Sequence, residues 1–110
     1  MPTFITYASY STEGARGLMQ KPEDRRPVIQ SMLDTVGGKV IALYMVTGSN
    51  DIVLISEAPD GDDVAAVAMA VAASGTLSKV ETVRAWASED FAGIAAKAAK
   101  IAGSYKAPGK

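Results

Sequence analysis

Arg84 and Trp86 are the residues whose types and spacing most directly suggest chemistry in this chain. They stand two positions apart in a segment rich in valine and threonine, so in a strand their side chains share one face. A planar guanidinium shielded by an indole can bind the carboxylate or phosphate of a small ligand. A salt bridge between subunits, to Glu81, Asp51 or Glu57, is the other interpretation of this arginine. We therefore treat Arg84 and Trp86 as candidate ligand-binding residues.

A second set of candidates lies at the turn Gly48 to Asp51 and in the first apolar segment. Glycine and asparagine accept positive φ and aspartate bonds nearby backbone, so this segment is typical of a plain hairpin turn. Tyr7, Tyr10 and Tyr44 belong to predicted strands and could line a cleft, although a buried tyrosine most often serves packing. Beside these structural interpretations, Asn50, Asp51 and Tyr7 remain candidate ligand-binding residues.

The absence of histidine and cysteine removes several kinds of site. Without them the chain lacks the commonest general base, the thiolate nucleophile and the commonest metal ligands. The run Asp60 to Asp63 lacks the glutamate and ligand ladder of a calcium loop, so it is better explained as a helix cap. We predict no metal and no cofactor. Any general base would be Asp51, a glutamate or the substrate itself, and the catalytic residues stay undefined.

Length and charge favour a single small domain. A chain of 110 residues predicts one domain over residues 1–103, followed by a flexible tail over 104–110. Eleven Lys and Arg against twelve Asp and Glu give a net charge of −1, which supplies no positive field for nucleic acid. No apolar run approaches the length of a membrane span, and the N-terminus lacks the pattern of a secretory signal. Together with the absence of cysteine, this favours the cytoplasm.

The predicted elements follow an alternating order. They are a strand at 3–10, a helical turn at 15–20, a helix from the Asp24 cap to Val36, strands at 39–47 and 51–57, a helix at 62–74, a strand at 76–87 and a helix capped at 88–90 that ends at Gly103. The order β-α-β-β-α-β with an extra C-terminal helix predicts a ferredoxin-like α+β fold. That fold has a four-stranded antiparallel sheet with helices on one face.

The hairpin in the middle of the chain does not alternate between apolar and polar residues. Strict alternation predicts Ile41, Leu43 and Met45 on one side of its first arm and Val40, Ala42, Tyr44 and Val46 on the other. In the second arm, Ile52 and Leu54 oppose Val53 and Ile55. Helices cover one face of such a sheet, and the other is larger than a monomer usually exposes. We therefore predict at least a homodimer that pairs sheet to sheet.

A small basic cluster, Lys21, Arg25 and Arg26, surrounds Pro22 after the first strand. Such a cluster is typical of a solvated loop, and an anion gate is the alternative.

Several short motifs resemble those of GYD-domain proteins. They are a first strand that ends in tyrosine, the stretch Lys21 to Arg25, Gly-Gly-Lys before the second strand, the turn at 48–51, Glu-Ala-Pro-Asp at 57–60 and the segment Thr82 to Trp86. The resemblance spans residues 3–95 and implies a ferredoxin-like subunit that pairs as a dimeric α-β barrel. The tyrosine that names the family is Asn50 here, and the phenylalanine that usually follows Arg-Ala is Trp86. The family implies no established activity.

These features support two hypotheses of function. The first is a small homo-oligomer that binds a small anionic or aromatic ligand in a cavity between sheet and helices. The alternative, suggested by similarity of fold, is a cofactor-independent monooxygenase or isomerase-like enzyme acting on small aromatic or lactone compounds. In that enzyme Arg84, Asn50, Trp86 and Tyr7 would orient the substrate and stabilise negative charge. RNA binding ranks last, because strands 1 and 3 lack the basic and aromatic residues that stack bases.

Overall fold

The computed structural model describes residues 1–110 and contains one four-stranded sheet. In chain order the elements are β1 (Thr3–Tyr10), α1 (Thr12–Gln20), α2 (Arg26–Asp34), β2 (Lys39–Met45), β3 (Ile52–Glu57), α3 (Gly61–Ala73), β4 (Leu77–Ala85) and α4 (Phe91–Ala102), with a short 3-10 turn, Ser88–Asp90, before α4. All pairings are antiparallel and the strand order is β2-β3-β1-β4. The predicted ferredoxin-like α+β fold is confirmed.

Side-chain caps set where the helices begin. The Ser11 hydroxyl accepts a bond of 3.0 Å from the Gly14 backbone N–H, so α1 begins before the predicted residue 15. Asp60 caps α3 in the same way, accepting from the Asp63 N–H at 3.1 Å. At α2 the predicted Asp24 cap is displaced by one residue. The carboxylate of Asp24 accepts from the Arg26 N–H at 2.9 Å, while Arg25 holds the cap position without a side-chain bond.

A bulge in β2 changes which of its side chains share a face, so the predicted division of that strand is wrong. Val40 pairs with Ser56 and Ala42 with Ile55, so Ile41 has no opposite residue. An unpaired extra residue reverses the alternation beyond it. Val40 therefore shares the helix-covered face with Leu43 and Met45, and Ile41 does not, contrary to the strict alternation expected from the sequence. The predicted division of β3 is correct, because no bulge interrupts it there.

The helices α2 and α3 cover one face of the sheet, which we call the helix face. α2 lies against β2, and α3 lies against β4. The most buried apolar side chains come from this layer: Phe4, Ala8, Leu33, Val40, Ile52, Ala58 and Val64. The helix face is thus the hydrophobic core of the domain.

The opposite face, which we call the open face, has no helix on it. Strand pairing aligns its apolar side chains in two rows, formed by Ala42, Ile55, Ile5 and Val83 and by Tyr44, Val53 and Tyr7. None of these residues is buried in the single chain. Charged residues flank the rows, with a Lys39–Glu57 ion pair of 3.5 Å at one end and Glu81 and Lys79 at the other. The open face is therefore an apolar surface with charged margins.

The C-terminal helix α4 projects from the domain. Its main contact is with the 3-10 turn that precedes it, and none of its residues is buried. The chain measures 60 × 32 × 23 Å with a radius of gyration of 17.7 Å, whereas a compact domain of this length has one of about 13 Å. None of the helices has the length and apolar character needed to cross a membrane.

Candidate functional site

A cavity of about 120 Å³ lies between the helix face and the two helices that cover it. The helix α3 lines it with Val64, Val67, Ala68 and Val71. Its walls are mainly apolar and include Ala8, Met32, Ile52, Leu54, Val67 and Val71. A largely apolar enclosure with a few placed polar groups is the usual form of a small-molecule site.

Three hydroxyl groups lie on the sheet side of this cavity. The Thr6 and Thr82 hydroxyls bond each other across β1 and β4 at 2.9 Å. The third hydroxyl belongs to Ser56, which is only 2% exposed. These hydroxyls place polar groups on a wall that is otherwise mainly apolar.

The cavity opens towards a polar groove. Tyr10, Arg25 and Thr76 line both spaces and so form the mouth between them. Arg25 is paired with Glu23 at 2.5 Å, and both side chains are 36% exposed. A guanidinium carries five N–H donors, so this pair leaves Arg25 with donors for a second anion.

Tyr10 is held at the mouth by two hydrogen bonds. Its backbone N–H donates to the Asp51 carboxylate at 2.9 Å, and its hydroxyl donates to the Met45 sulfur at 3.6 Å. Burial raises the pKa of the Tyr10 hydroxyl, the Arg25 charge lowers it and the Asp51 charge raises it, with a net increase. The hydroxyl therefore keeps its proton at neutral pH, and it would donate to an anionic group in place of the Met45 sulfur.

The two candidates from the turn serve mainly to join the hairpin to β1. Asp51 donates its backbone N–H to the Ala8 carbonyl at 2.8 Å and accepts from the Val46 N–H at 2.8 Å. Its carboxylate holds Tyr10, as described above. The side-chain oxygen of Asn50 is buried without a hydrogen-bond partner. Neither residue lines the cavity.

Arg84 and Trp86 form an aromatic cluster at the other end of the sheet. The Arg84 guanidinium lies 4.7 Å from the Trp86 ring centre and 5.8 Å from that of Phe4. Arg84 also donates to the backbone carbonyls of Thr3, at 3.2 Å, and Ala85. Trp86 meets Phe91 edge to face, with ring centres 6.2 Å apart. Within one chain Arg84 has no carboxylate partner.

The five predicted candidates therefore lie at three separate places. Arg84 pairs with Phe4 near the start of β1, whereas Asp51 binds Tyr10 at its end. Six residues of strand separate these points by about 20 Å. Tyr7 lies on the open face.

The sequence-based candidates did not include Arg25, Tyr10 or Ser56, which surround the cavity and its mouth. Two signals for them were present. Arg25 belongs to the basic cluster for which an anion gate is the alternative, and Tyr10 is one of the strand tyrosines that could line a cleft.

Comparison with known proteins assigns the family. The GYD domain profile matches residues 4–95. A curated protein of Thermus thermophilus is 35% identical over 77 residues, which cover 70% of this chain and 81% of that protein. It is named "Glutamine synthetase and cystathionine beta-lyase binding protein".

Solved structures support the fold alone. FFRP-DM1 aligns with a TM-score of 0.53 at 17% identity, over 78% of this chain and 100% of its own. TTHA0845 from Thermus thermophilus aligns with a TM-score of 0.51 at 18% identity, over 80% of this chain and 96% of its own. From the profile match and the curated relative, the chain belongs to the GYD domain family.

Proposed function

We propose that the protein is a homodimer that binds a small ligand with one apolar or aromatic group and one anionic group. The observation that carries this proposal is the apolar cavity of about 120 Å³, which opens between Tyr10 and Arg25. The apolar group would occupy the cavity, and the anionic group would lie at the mouth. This retains the ligand class and the cavity between sheet and helices expected from the sequence, and it replaces the five candidate residues by Tyr10 and Arg25 at the mouth.

The size of the cavity limits the apolar group. An engineered apolar cavity of about 150 Å³ is known to stay dry and to bind benzene. A space of about 120 Å³ therefore suits a single ring or a short branched chain. Larger apolar groups would need α2 or α3 to move away from the sheet.

The mouth supplies the recognition of charge. Arg25 presents donors suited to the two oxygens of a carboxylate, and the protonated Tyr10 hydroxyl adds another donor. The adjoining groove also carries Glu13, Glu23, Arg16 and Lys21, and Glu23 is paired with Arg25. A ligand anion would bind Arg25 together with Glu23, or it would displace Glu23 from Arg25.

The homodimer is proposed from the open face. Its apolar rows run across all four strands without a covering element, and its margins carry both signs of charge. A two-fold axis places each charged margin of one subunit near a charged margin of the second subunit. The open face can therefore pair with the open face of a second copy. Such pairing would give the dimeric α-β barrel implied by the family resemblance.

Thermal melting with three probes of similar shape tests the ligand class. Benzoate should raise the melting temperature more than benzyl alcohol, and benzylamine should do least. Arg25→Ala should remove the advantage of benzoate, whereas the control Arg26→Ala, whose guanidinium contacts the Val40 carbonyl, should keep it. An equal response to all three probes, or an unchanged benzoate effect in Arg25→Ala, would contradict the proposal.

The enzymatic alternative stays a prediction. No carboxylate lines the cavity, and the group there that exchanges a proton is Tyr10, whose pKa is raised. A reaction in the cavity would therefore need the substrate to act as its own base. Oxygen uptake with a panel of hydroxylated aromatic compounds tests this alternative, and silence across the panel would count against it.

A ligand role for Arg84, Trp86, Asn50, Asp51 and Tyr7 also stays a prediction. The aromatic cluster around Arg84 is the place among these where an exposed cation retains free donors. If Arg84→Ala removes a ligand-induced melting shift that Arg25→Ala leaves in place, the ligand binds at that cluster and not at the mouth.

Binding to another protein is a second candidate function. The name of the Thermus thermophilus relative describes a protein that binds two enzymes, and this chain leaves the open face and α4 unpacked. We propose that one of these surfaces binds an enzyme subunit. Light scattering of mixtures with purified glutamine synthetase and cystathionine β-lyase tests this candidate, and the absence of a complex with both would exclude those partners. The cytoplasmic location stays a prediction.

A further inference from the structure

The last helix, α4, carries an apolar stripe that the single chain leaves largely exposed. Four residues recur at helical spacing on one side of it: Phe91, Ile94, Ala98 and Ile101. Phe91 is 49% exposed and Ile101 is 66% exposed. A helix of 12 residues is marginal in water on its own, so the stripe needs an apolar environment to pack into.

The charge of α4 and of the residues after it is entirely positive. Residues 91–110 contain four lysines and no acidic residue, whereas residues 1–90 contain seven basic and twelve acidic residues, a net charge of −5. Successive residues turn by about 100° around a helix, so Lys97 lies beside the apolar stripe and Lys100 lies further round. The segment 91–110 is therefore an amphipathic cationic helix followed by a cationic tail.

The helix α4 stands apart from the rest of the domain. Its main contact is with the 3-10 turn that precedes it, and none of its residues is buried. Trp86, just after β4, packs edge to face on Phe91 with ring centres 6.2 Å apart, and this contact holds the start of the helix. An extended partner can therefore reach the stripe and the lysines without displacing any element of the domain.

Aromatic side chains lie at both ends of the stripe. Trp86 is 47% exposed beside its first residue, and Tyr105, which follows its last turn, is 69% exposed. The Tyr105 N–H donates to the Ala102 carbonyl at 3.3 Å, which continues that turn. Tryptophan and tyrosine favour the boundary between an apolar layer and water, because their rings are apolar and carry one polar N–H or O–H group. Both ends of the stripe thus suit such a boundary.

The lysines of this segment lie beyond the part of the chain that the family profile matches. The profile ends at residue 95, and the first of the four lysines is Lys97. The cationic segment is thus an addition to the domain that defines the family.

We propose that α4 binds the surface of an anionic lipid bilayer, with its apolar stripe among the acyl chains below the headgroups and its lysines against the lipid phosphates and carboxylates. A helix that lies in the interface needs one apolar side and not the length of a spanning helix. Each lysine near an anionic surface tightens binding about five-fold. This inference goes beyond the ligand site and depends on neither the cavity nor the homodimer.

The spacing of the lysines favours a bilayer over a groove on another protein. They are spread from Lys97 to Lys110, in the helix and in the tail after it. The negative charge of an anionic bilayer is continuous, so it meets all four lysines wherever the tail lies. A protein groove offers acidic groups only at fixed points and would have to match each lysine separately.

The fluorescence of Trp86 tests the contact directly, because it is the one tryptophan of the chain and borders the stripe. Its emission should move to shorter wavelength on addition of vesicles made of equal parts phosphatidylcholine and phosphatidylserine. The affinity for these vesicles should exceed that for phosphatidylcholine vesicles at least about 10-fold, and it should fall as salt is added. No binding to the anionic vesicles, or equal binding to both kinds, would overturn the proposal.

Two aspartate substitutions separate insertion of the stripe from attraction of charge. Ala98 lies in the stripe and Ala96 on the opposite side of α4, and both are exposed in the single chain. Each substitution adds one negative charge to the helix, but Ala98→Asp also places a carboxylate among acyl chains. Ala98→Asp should therefore weaken vesicle binding at least about 10-fold more than Ala96→Asp. Equal losses would overturn the insertion of the stripe.

Two pairs of lysine substitutions test the charge. Lys97→Gln combined with Lys100→Gln should weaken binding to the anionic vesicles about 25-fold. Lys21→Gln combined with Lys79→Gln removes the same charge from exposed positions of the body and should weaken it less than about two-fold. Equal losses from the two pairs would show that net charge and not α4 controls binding. If vesicles do not bind and Ala98→Asp instead weakens a homodimer or a complex with an enzyme, α4 packs on protein and the proposal is wrong.

Discussion

The two faces of the sheet contain similar apolar residues and differ in whether helices cover them. The helix face lies under α2 and α3 and still leaves a cavity of about 120 Å³, which Ser56 and other residues line. The open face has no covering element, has its apolar rows in register and carries charge only at its margins. The helix face encloses a cavity, and the open face is an exposed apolar surface.

This difference indicates different partners for the two faces. An enclosed apolar space with a cationic mouth accepts a molecule of about the size of one ring. A broad apolar surface with charged margins accepts another folded surface. Ligand binding and assembly can therefore be tested separately in this chain.

The largest effect is expected from a charge on the open face. Val83→Asp should raise the dimer dissociation constant at least about 100-fold, because a buried unpaired carboxylate costs about 3 kcal/mol or more. Val28→Asp is the control, since Val28 in α2 and Val83 are both 39% exposed in the single chain. Sedimentation equilibrium measures both variants. If Val28→Asp weakens the dimer as much, the open face is not the interface.

Filling the cavity should abolish ligand binding without loss of the fold. Ala68 lines the cavity from α3, and Ala68→Leu places a larger apolar side chain into the free space. The benzoate-induced melting shift should disappear, while the melting temperature without ligand stays within a few degrees of wild type. Ala66 also belongs to α3 but does not line the cavity, so Ala66→Leu should keep the benzoate-induced melting shift. A benzoate shift that survives Ala68→Leu would place the ligand elsewhere.

The threonine pair on the helix face should behave as one unit. Thr6→Val leaves the Thr82 hydroxyl without its 2.9 Å partner and should cost about 1–2 kcal/mol of unfolding free energy. Thr6→Val combined with Thr82→Val removes both hydroxyls and should recover most of that loss. Urea unfolding of the three variants measures the coupling. Additive losses would show that the two hydroxyls do not depend on each other.

The smallest effect is expected from the titration of Tyr10. Its pKa in the folded chain lies above the unfolded value of about 10, so the folded state holds this proton more tightly. Unfolding free energy should therefore be unaffected by this group below about pH 10 and should fall as the pH rises through the folded pKa. Tyr10→Phe should remove that part of the alkaline decline. The same slope in both proteins would contradict the raised pKa.

Local signals in the sequence were sufficient for most elements of the fold. The strand β1, the caps at Asp60 and the stop at Gly75, which adopts a φ of 79°, follow from residue type and position. The bulge at Ile41 was missed because it depends on pairing with β3 and not on β2 alone. The separation of α4 from the domain was also missed, since an apolar stripe does not reveal the surface it packs against.

The candidate site was predicted less well than the fold. Arg84 and Asp51 are conspicuous in the sequence, yet antiparallel pairing places them near opposite ends of β1. The cavity lies between the sheet and the two helices that cover it, and its existence depends on packing distances that no motif records. Arg25 and Tyr10 become candidate ligand-binding residues only because both line the mouth of the cavity.

The most direct test of the account is the mass of the wild-type protein in solution. One chain has a mass of 11.4 kDa, and sedimentation equilibrium at micromolar concentration should give twice that value. A dimer that remains when the salt concentration is raised would agree with an apolar open face as the main contact. A mass of one chain throughout this range would contradict the pairing of two open faces, and with it the proposed assembly.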